Sequence, residues 1–157
     1  MGHCVTAIVG KPEALREFAA GKGLPAPVAL VPDLAMIPLR DRELDAILPL
    51  PLTGEVDDFV YLSDQLQSVL ADLSRRGRVM YLETNYFGGA GTQGAVVYQD
   101  GIAIYGPRSA GVGPISEGLA LLGVKVQPPA RDEFDSVGLG RKRSTAAWLD
   151  LDDDDDA

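Results

Sequence analysis

Between Val79 and Tyr105 the chain carries three strand-like runs in close succession, and the joints between them limit how they can meet. Val79 to Phe87, Ala95 to Gln99 and Ile102 to Tyr105 are rich in β-branched and aromatic residues, which suit a pleated, half-buried surface. Asp100-Gly101 joins the last two runs. A two-residue hairpin turn needs positive φ at both central positions, and this dipeptide supplies them, so the flanking strands are antiparallel neighbours. The first joint is Gly88-Gly89-Ala90-Gly91-Thr92-Gln93-Gly94. A chain built around such a stretch is committed to a sheet, and the other segments must cover it.

Those segments read mainly as helices. Cys4 to Val9 is a short, almost wholly apolar run, as in a strand covered on both faces. Pro12 suits a first helical position, Leu15, Phe18 and Ala19 form an apolar face, and Gly21 is the expected stop. Leu24 to Pro32 is proline-rich and reads as irregular or as an edge strand. Ala35 to Leu39 reads as a short strand that Pro38 confines to an edge. Asp41 can cap a helix containing Leu44, Ile47 and Leu48, which Pro49 and Pro51 end. Ser63 caps the clearest helix, where Leu66, Val69, Leu70 and Leu73 recur at helical spacing and Arg75, Arg76 and Gly77 close it. Pro114 starts the last, with Ile115, Leu119 and Leu122 inward and Gly123 at its end. Lys125 to Leu149 lacks periodicity and is expected to pack as coil or short helix through Phe134, Val137, Leu139, Trp148 and Leu149. The expected fold is α+β: a mostly antiparallel or mixed central sheet with about four helices packed on it.

Charge divides the chain in two. The 157 residues hold 14 Lys and Arg against 23 Asp and Glu, for a net charge of −9. Six of those acids fall in residues 150–157, so the first 149 residues set 17 acids against 14 bases. Residues 1–149 are expected to form a single globular domain, and 150–157 a disordered Asp-rich tail. A near-neutral body with an anionic tail does not suit nucleic-acid binding, which needs Lys and Arg to displace phosphate counterions. One cysteine cannot form an internal disulfide, and no apolar run approaches the ~20 residues of a spanning helix. The expectation is a cytoplasmic protein that contacts neither membrane nor nucleic acid. Met1 to Thr6 fits an N-myristoylation pattern with Gly2 as acceptor. The competing reading is the start of the first strand, and no polybasic stretch follows to add a second anchor.

The glycine segment is the stretch that calls for a specific explanation. Gly89, Gly91 and Gly94 satisfy G-x-G-x-x-G, but a dinucleotide site needs a helix next, and Ala95 to Tyr98 is strand-like. With Val96 the segment matches a kinase glycine loop, yet the following strand carries Ala103-Ile104-Tyr105 where that fold places a lysine. No Gly-Lys-Ser/Thr is present for a Walker loop. Two readings stay open. One is a glycine-rich connection between strands. The other is a mobile loop whose backbone N–H groups line a site, with Tyr86, Phe87 and Gln93 as side-chain contacts and Gly88, Gly89 and Gly91 as backbone.

Glu83 and Asn85 lie two apart on one strand and so share a face. Beside a glycine loop Glu83 can be a perturbed acid or base, or pair with Arg78 or Arg108. His3 reads as a histidine at a strand edge and Cys4 as a buried structural thiol, with no nucleophile motif to make a triad of them. His and Cys are too few for a zinc site. Asp132, Glu133 and Asp135 match no Ca²⁺ loop and read as a solvated acidic turn. Arg141-Lys142-Arg143 is a short basic cluster that can meet phosphate or the acidic tail. No catalytic residue, metal or cofactor is assigned.

Taken together, Tyr81-Leu82-Glu83, Tyr86-Phe87-Gly88-Gly89-x-Gly91-x-Gln93, Leu119-x-Leu121-Leu122-Gly123-Val124 and Asp132-Glu133-Phe134-Asp135-x-x-Gly138-Leu139-Gly140-x-x-Arg143 resemble a set of small bacterial proteins to which no activity is attached. The resemblance covers the second half of the chain best and implies a bacterial cytosolic protein. The function expected first is a protein-binding module without catalysis, either a complex subunit or a protein in the style of immunity proteins. Its partner is another protein or a second copy of the chain. The alternative is a small-molecule-binding protein or enzyme with Glu83, Asn85, Tyr86, Gln93 and Arg108 around its ligand.

Overall fold

The computed structural model describes residues 2–30, 33–48, 53–56, 59–87, 90–111, 113–126, 132–137, 139, 144, 145 and 148. The expected tail at 150–157, the Arg141–Arg143 cluster, Gly88 and Gly89 lie outside them, as does most of 125–149.

β5 (Val79–Phe87) is the spine of a seven-stranded sheet. On one side it pairs with β2 (Thr6–Gly10) and with the short β1 (Gly2–His3). On the other it pairs with β6 (Ala90–Gln99), which pairs with β7 (Ile102–Ala110). Beyond β2 come β4 (Leu34–Pro38) and β3 (Val28–Leu30), giving the order β3-β4-β2-β5-β6-β7. Every one of these pairings is antiparallel, and among the described residues a parallel contact occurs only as an isolated bridge between Cys4 and Ser144. The α+β expectation holds in its antiparallel form.

Side chains alternate along β5, as strand geometry requires. Val79, Tyr81 and Glu83 face one way, Met80 and Leu82 the other. The first face packs under α1 (Pro12–Lys22), α2 (Asp41–Ile47) and α3 (Asp64–Leu73), with Leu15, Leu44, Leu66 and Leu70 set against Ile8, Ile37 and Tyr81. The second packs under α4 (Pro114–Leu121) and α5 (Glu133–Val137), with Ile115, Leu119, Val137 and Trp148 set against Met36, Leu82 and Val97. With both faces covered, β2 and β4 are buried at all five positions, which is why they read as unbroken apolar runs.

Local chemistry sets the ends. The Ser63 hydroxyl accepts the Leu66 N–H at 3.3 Å and starts α3. α1 runs one residue past the expected stop at Gly21, because the left-handed cap is Gly23, with φ 71°. α2 is capped by Arg40 instead of Asp41: the Glu43 carboxylate reaches back to the Arg40 N–H at 2.8 Å. Burial pushes the Glu43 carboxyl up, but the Arg40 hydrogen bonds and charge outweigh that and hold it below its ordinary value. β4 is internal to the sheet rather than an edge. Pro38 is tolerated there because β3 pairs only with Leu34 to Met36, leaving the last two residues of β4 unflanked on that side.

The Asp100-Gly101 turn forms as expected, with φ of 52° and 84°. Its tip is docked: the Asp100 and Gly101 amides donate to the Ser74 carbonyl and hydroxyl, at 3.2 and 2.8 Å. The glycine segment differs from its expected form. β6 begins at Ala90, and Gly91, Thr92, Gln93 and Gly94 are paired opposite Tyr86, Asn85, Thr84 and Glu83. Among the described residues it is a strand, not a long mobile loop. β7 likewise continues past Tyr105 to Ala110, and Ile102 and Ile104 on it are exposed by 66% and 42%. Among the described residues no helix is long and apolar enough to cross a membrane.

Candidate functional site

On the α1–α3 face, where β5 runs beside the start of β2, a groove of about 540 Å³ opens between five segments. Its floor is Glu83 with Thr6, its walls are Leu39, Arg40 and Tyr61, and Cys4, Val60, Asn85 and Thr145 stand at its rim. The volume falls in the range of small-molecule sites.

Glu83 is only 7% exposed. Its Oε1 accepts the Val60 N–H at 2.7 Å, and its Oε2 accepts the Tyr61 N–H at 2.9 Å and the Tyr81 hydroxyl at 2.5 Å. A buried carboxylate needs such partners, and these three donors serve it without an arginine. The pairings with Arg78 and Arg108 that the sequence allowed do not form. Arg78 donates to the Gln99 side chain at 2.6 Å and to the Leu121 carbonyl at 2.5 Å, and Arg108 lies on β7 at 3.8 Å from Glu117. Burial raises the Tyr81 phenol well above its ordinary pKa, and the Glu83 charge adds to this, so Tyr81 is held as a hydrogen-bond donor. With three donors fixed on it, Glu83 ties the 60–61 segment to the sheet.

The expected site residues divide between the two faces. Asn85 stays with Glu83, and its Oδ1 lies 4.0 Å from the Cys4 sulfur. Tyr86 and Gln93 bond to each other instead, on the α4 side: Gln93 Nε2 donates to the Tyr86 hydroxyl at 2.9 Å, and Tyr86 donates to the Gly111 carbonyl. Gln93 Oε1 accepts the Ile115 N–H in the first turn of α4 at 2.8 Å. Phe87 is paired with Ala90 in the ladder. Gly91 is a strand residue, and Gly88 and Gly89 are outside the described set. Tyr86 and Gln93 thus hold α4 to the sheet and do not line the groove. Gln93→Leu removes both bonds and strands a buried N–H, so about 2 kcal/mol of stability should be lost. Urea unfolding should show this, with faster exchange of the Ile115 amide; an unchanged exchange rate there would refute the assignment.

Cys4 is exposed, contrary to its reading as a buried thiol. β1 ends at His3 and β2 begins at Thr6, so Cys4 sits between ladders and its sulfur lies at the groove. His3 lies elsewhere: Nε2 donates to the Leu139 carbonyl at 3.1 Å, and Nδ1 lies 2.7 Å from the Thr84 hydroxyl. Val5 N–H also donates to that hydroxyl, at 2.8 Å. With these partners His3 ties Leu139 to β5 and is turned to other work than activating Cys4.

Sequence reasoning missed Arg40, Val60, Tyr61 and Thr145. Val60 and Tyr61 fall in an irregular stretch with no periodicity, and Arg40 stands alone in sequence just before a short helix. Glu43 takes Arg40 in a two-point pair, with Nε at 3.0 Å and Nη2 at 2.8 Å. Among the described residues no group of three or more His, Cys, Asp and Glu side chains is placed to hold a metal ion. Set beside known proteins, the chain matches no family model, no curated protein and no solved structure.

Proposed function

We propose that the chain binds a small molecule in the groove floored by Glu83 and performs no covalent chemistry on it. The observation that carries this reading is the convergence of five sequence-distant segments on a buried carboxylate at the floor of a cavity of about 540 Å³. Small-ligand sites combine apolar surface, here Leu39, Val60 and Tyr61, with placed polar groups, here Glu83, Arg40 and Asn85. Binding is favoured over catalysis because, among the described residues, no second carboxylate and no histidine lines the groove to share a proton with Glu83. The reading keeps the bacterial cytosolic setting that the sequence resemblance implies and calls on neither nucleic acid nor membrane. Titrating the ¹⁵N-labelled chain with a small fragment library tests it. Saturable shifts confined to Val60, Tyr61, Asn85 and their neighbours are expected. Hits that map only to other surfaces would overturn the reading.

A second reading, a protein-binding module of the immunity-protein kind or a complex subunit, is favoured by β7. No residue of that strand is fully buried, and it presents Ile102 and Ile104 to solvent. Exposed apolar residues grouped on one element are a common mark of a contact surface.

A further inference from the structure

We propose that the groove's occupant is a small organic cation, a primary ammonium group on a short apolar or aromatic body; this rests on the small-molecule reading above. Three observations point the same way. Glu83 carries its charge nine-tenths buried, and its donors are two backbone amides and a phenol, none of them a cation. The ion pairs among the described residues are Arg40–Glu43, Arg75–Asp72, Arg76–Glu17 and Arg108–Glu117, and none includes Glu83.

The second observation concerns the base in the wall. Arg40 is committed to Glu43 through two nitrogens, so its charge is already matched. An anionic ligand would therefore meet the Glu83 carboxylate with the nearest positive charge spoken for. A cation meets an unmatched negative charge in a site where water is partly excluded, and there a charge pair is worth more than in bulk solvent. The third is geometric. A carboxylate has about four lone-pair sites, and three are taken. Among the described residues Oε1 accepts only the Val60 N–H, and it keeps room for one more donor. An ammonium group supplies N–H donors as well as charge. Tyr61 in the wall adds an aromatic ring, to which cations are attracted, and Val60, 65% exposed at the rim, adds apolar surface for the body.

The test uses three probes of one shape: benzylammonium, benzyl alcohol and benzoate, each titrated into the full ¹⁵N-labelled chain at constant ionic strength. Benzylammonium is expected to shift the Val60, Tyr61 and Asn85 amides saturably. Benzyl alcohol should bind at least tenfold more weakly, and benzoate should leave those amides unmoved. Glu83→Gln should weaken benzylammonium at least tenfold. Should that variant unfold, the wild-type series decides alone, and Tyr61→Leu, expected to weaken the ammonium several-fold, supports it. Benzyl alcohol or benzoate binding there as tightly as the ammonium would overturn the cation assignment and leave the groove a small-molecule site. Silence of these amides toward all three probes would also overturn it. If a wider fragment set then failed as well, the binding reading would fall with it.

Discussion

Replacing Glu83 with alanine should cost roughly 4 kcal/mol, because it leaves two backbone N–H groups and the Tyr81 hydroxyl without their acceptor. Each buried donor left bare costs about 1–3 kcal/mol, and the 60–61 segment can recover part by opening to water. Glu83→Gln keeps one acceptor oxygen and turns an NH₂ against a donor, so it should cost roughly half as much. Tyr81→Phe removes a single hydrogen bond, for about 1 kcal/mol. Urea unfolding measures all three, and exchange of the Val60 and Tyr61 amides shows whether the loss is local. A Glu83→Ala cost below about 1 kcal/mol would show that the carboxylate is not a structural tie. The same pair predicts an alkaline limit. Burial and the Glu83 charge raise the folded pKa of Tyr81 above its unfolded value, so the folded state holds the phenolic proton more tightly. That stability is fully present below about pH 10, the ordinary phenol value, and is lost as pH climbs beyond it. Tyr81→Phe should flatten that decline.

Gly91→Ala should be nearly as damaging, at about 3 kcal/mol or more. Gly91 has φ 150°, and a Cβ there would lie 2.0 Å from the Asn85 carbonyl oxygen and 2.7 Å from the Tyr86 Cα. Those are backbone atoms of the paired strand, so the ladder itself must part. For a chain of this size the melting temperature should fall by roughly 10 °C. Gly94→Ala is the useful comparison. Its Cβ would meet the Phe59 ring, 2.5 Å away, and a ring edge can swing aside where a backbone cannot. A cost of about 1–3 kcal/mol is expected, together with a disturbed contact between Phe59 and Tyr81, whose ring centres are 6.4 Å apart. Thermal unfolding of the two variants side by side checks the order. Equal losses would mean that the Gly91 backbone geometry is unimportant.

These two glycines also explain where sequence reasoning stopped. Glycine is depleted in strands, so four glycines within seven residues read as a loop. What lets two of them serve in β6 is a close carbonyl at Gly91 and a Phe59 ring over Gly94. Both are tertiary facts, and Phe59 is far away in sequence. By contrast, the turn at Asp100-Gly101, the Ser63 cap and the apolar faces of α1, α3 and α4 were legible, because each depends on neighbours within a few residues. The candidate site follows the same division. Period-two alternation put Glu83 and Asn85 on one face correctly. It could also have separated them from Tyr86 and Gln93, had the register across β6 been known. The lining residues Leu39, Arg40, Val60, Tyr61 and Thr145 come together only through the fold. Cys4 was misjudged because its apolar neighbours suggested one continuous strand, whereas the ladder breaks on either side of it.

The outer strand β7 has a bearing on how the protein behaves when crowded. A long strand with one free side is a template on which further chains can add and fibrils can grow. Here the register to β6 slips near Val97, so the strand is kinked, and Pro107 has no N–H to offer an incoming chain. Such a strand can be gripped through its side chains but extended poorly through its backbone. Concentrated solutions should therefore favour finite complexes over open-ended stacking, even with two isoleucines turned to water.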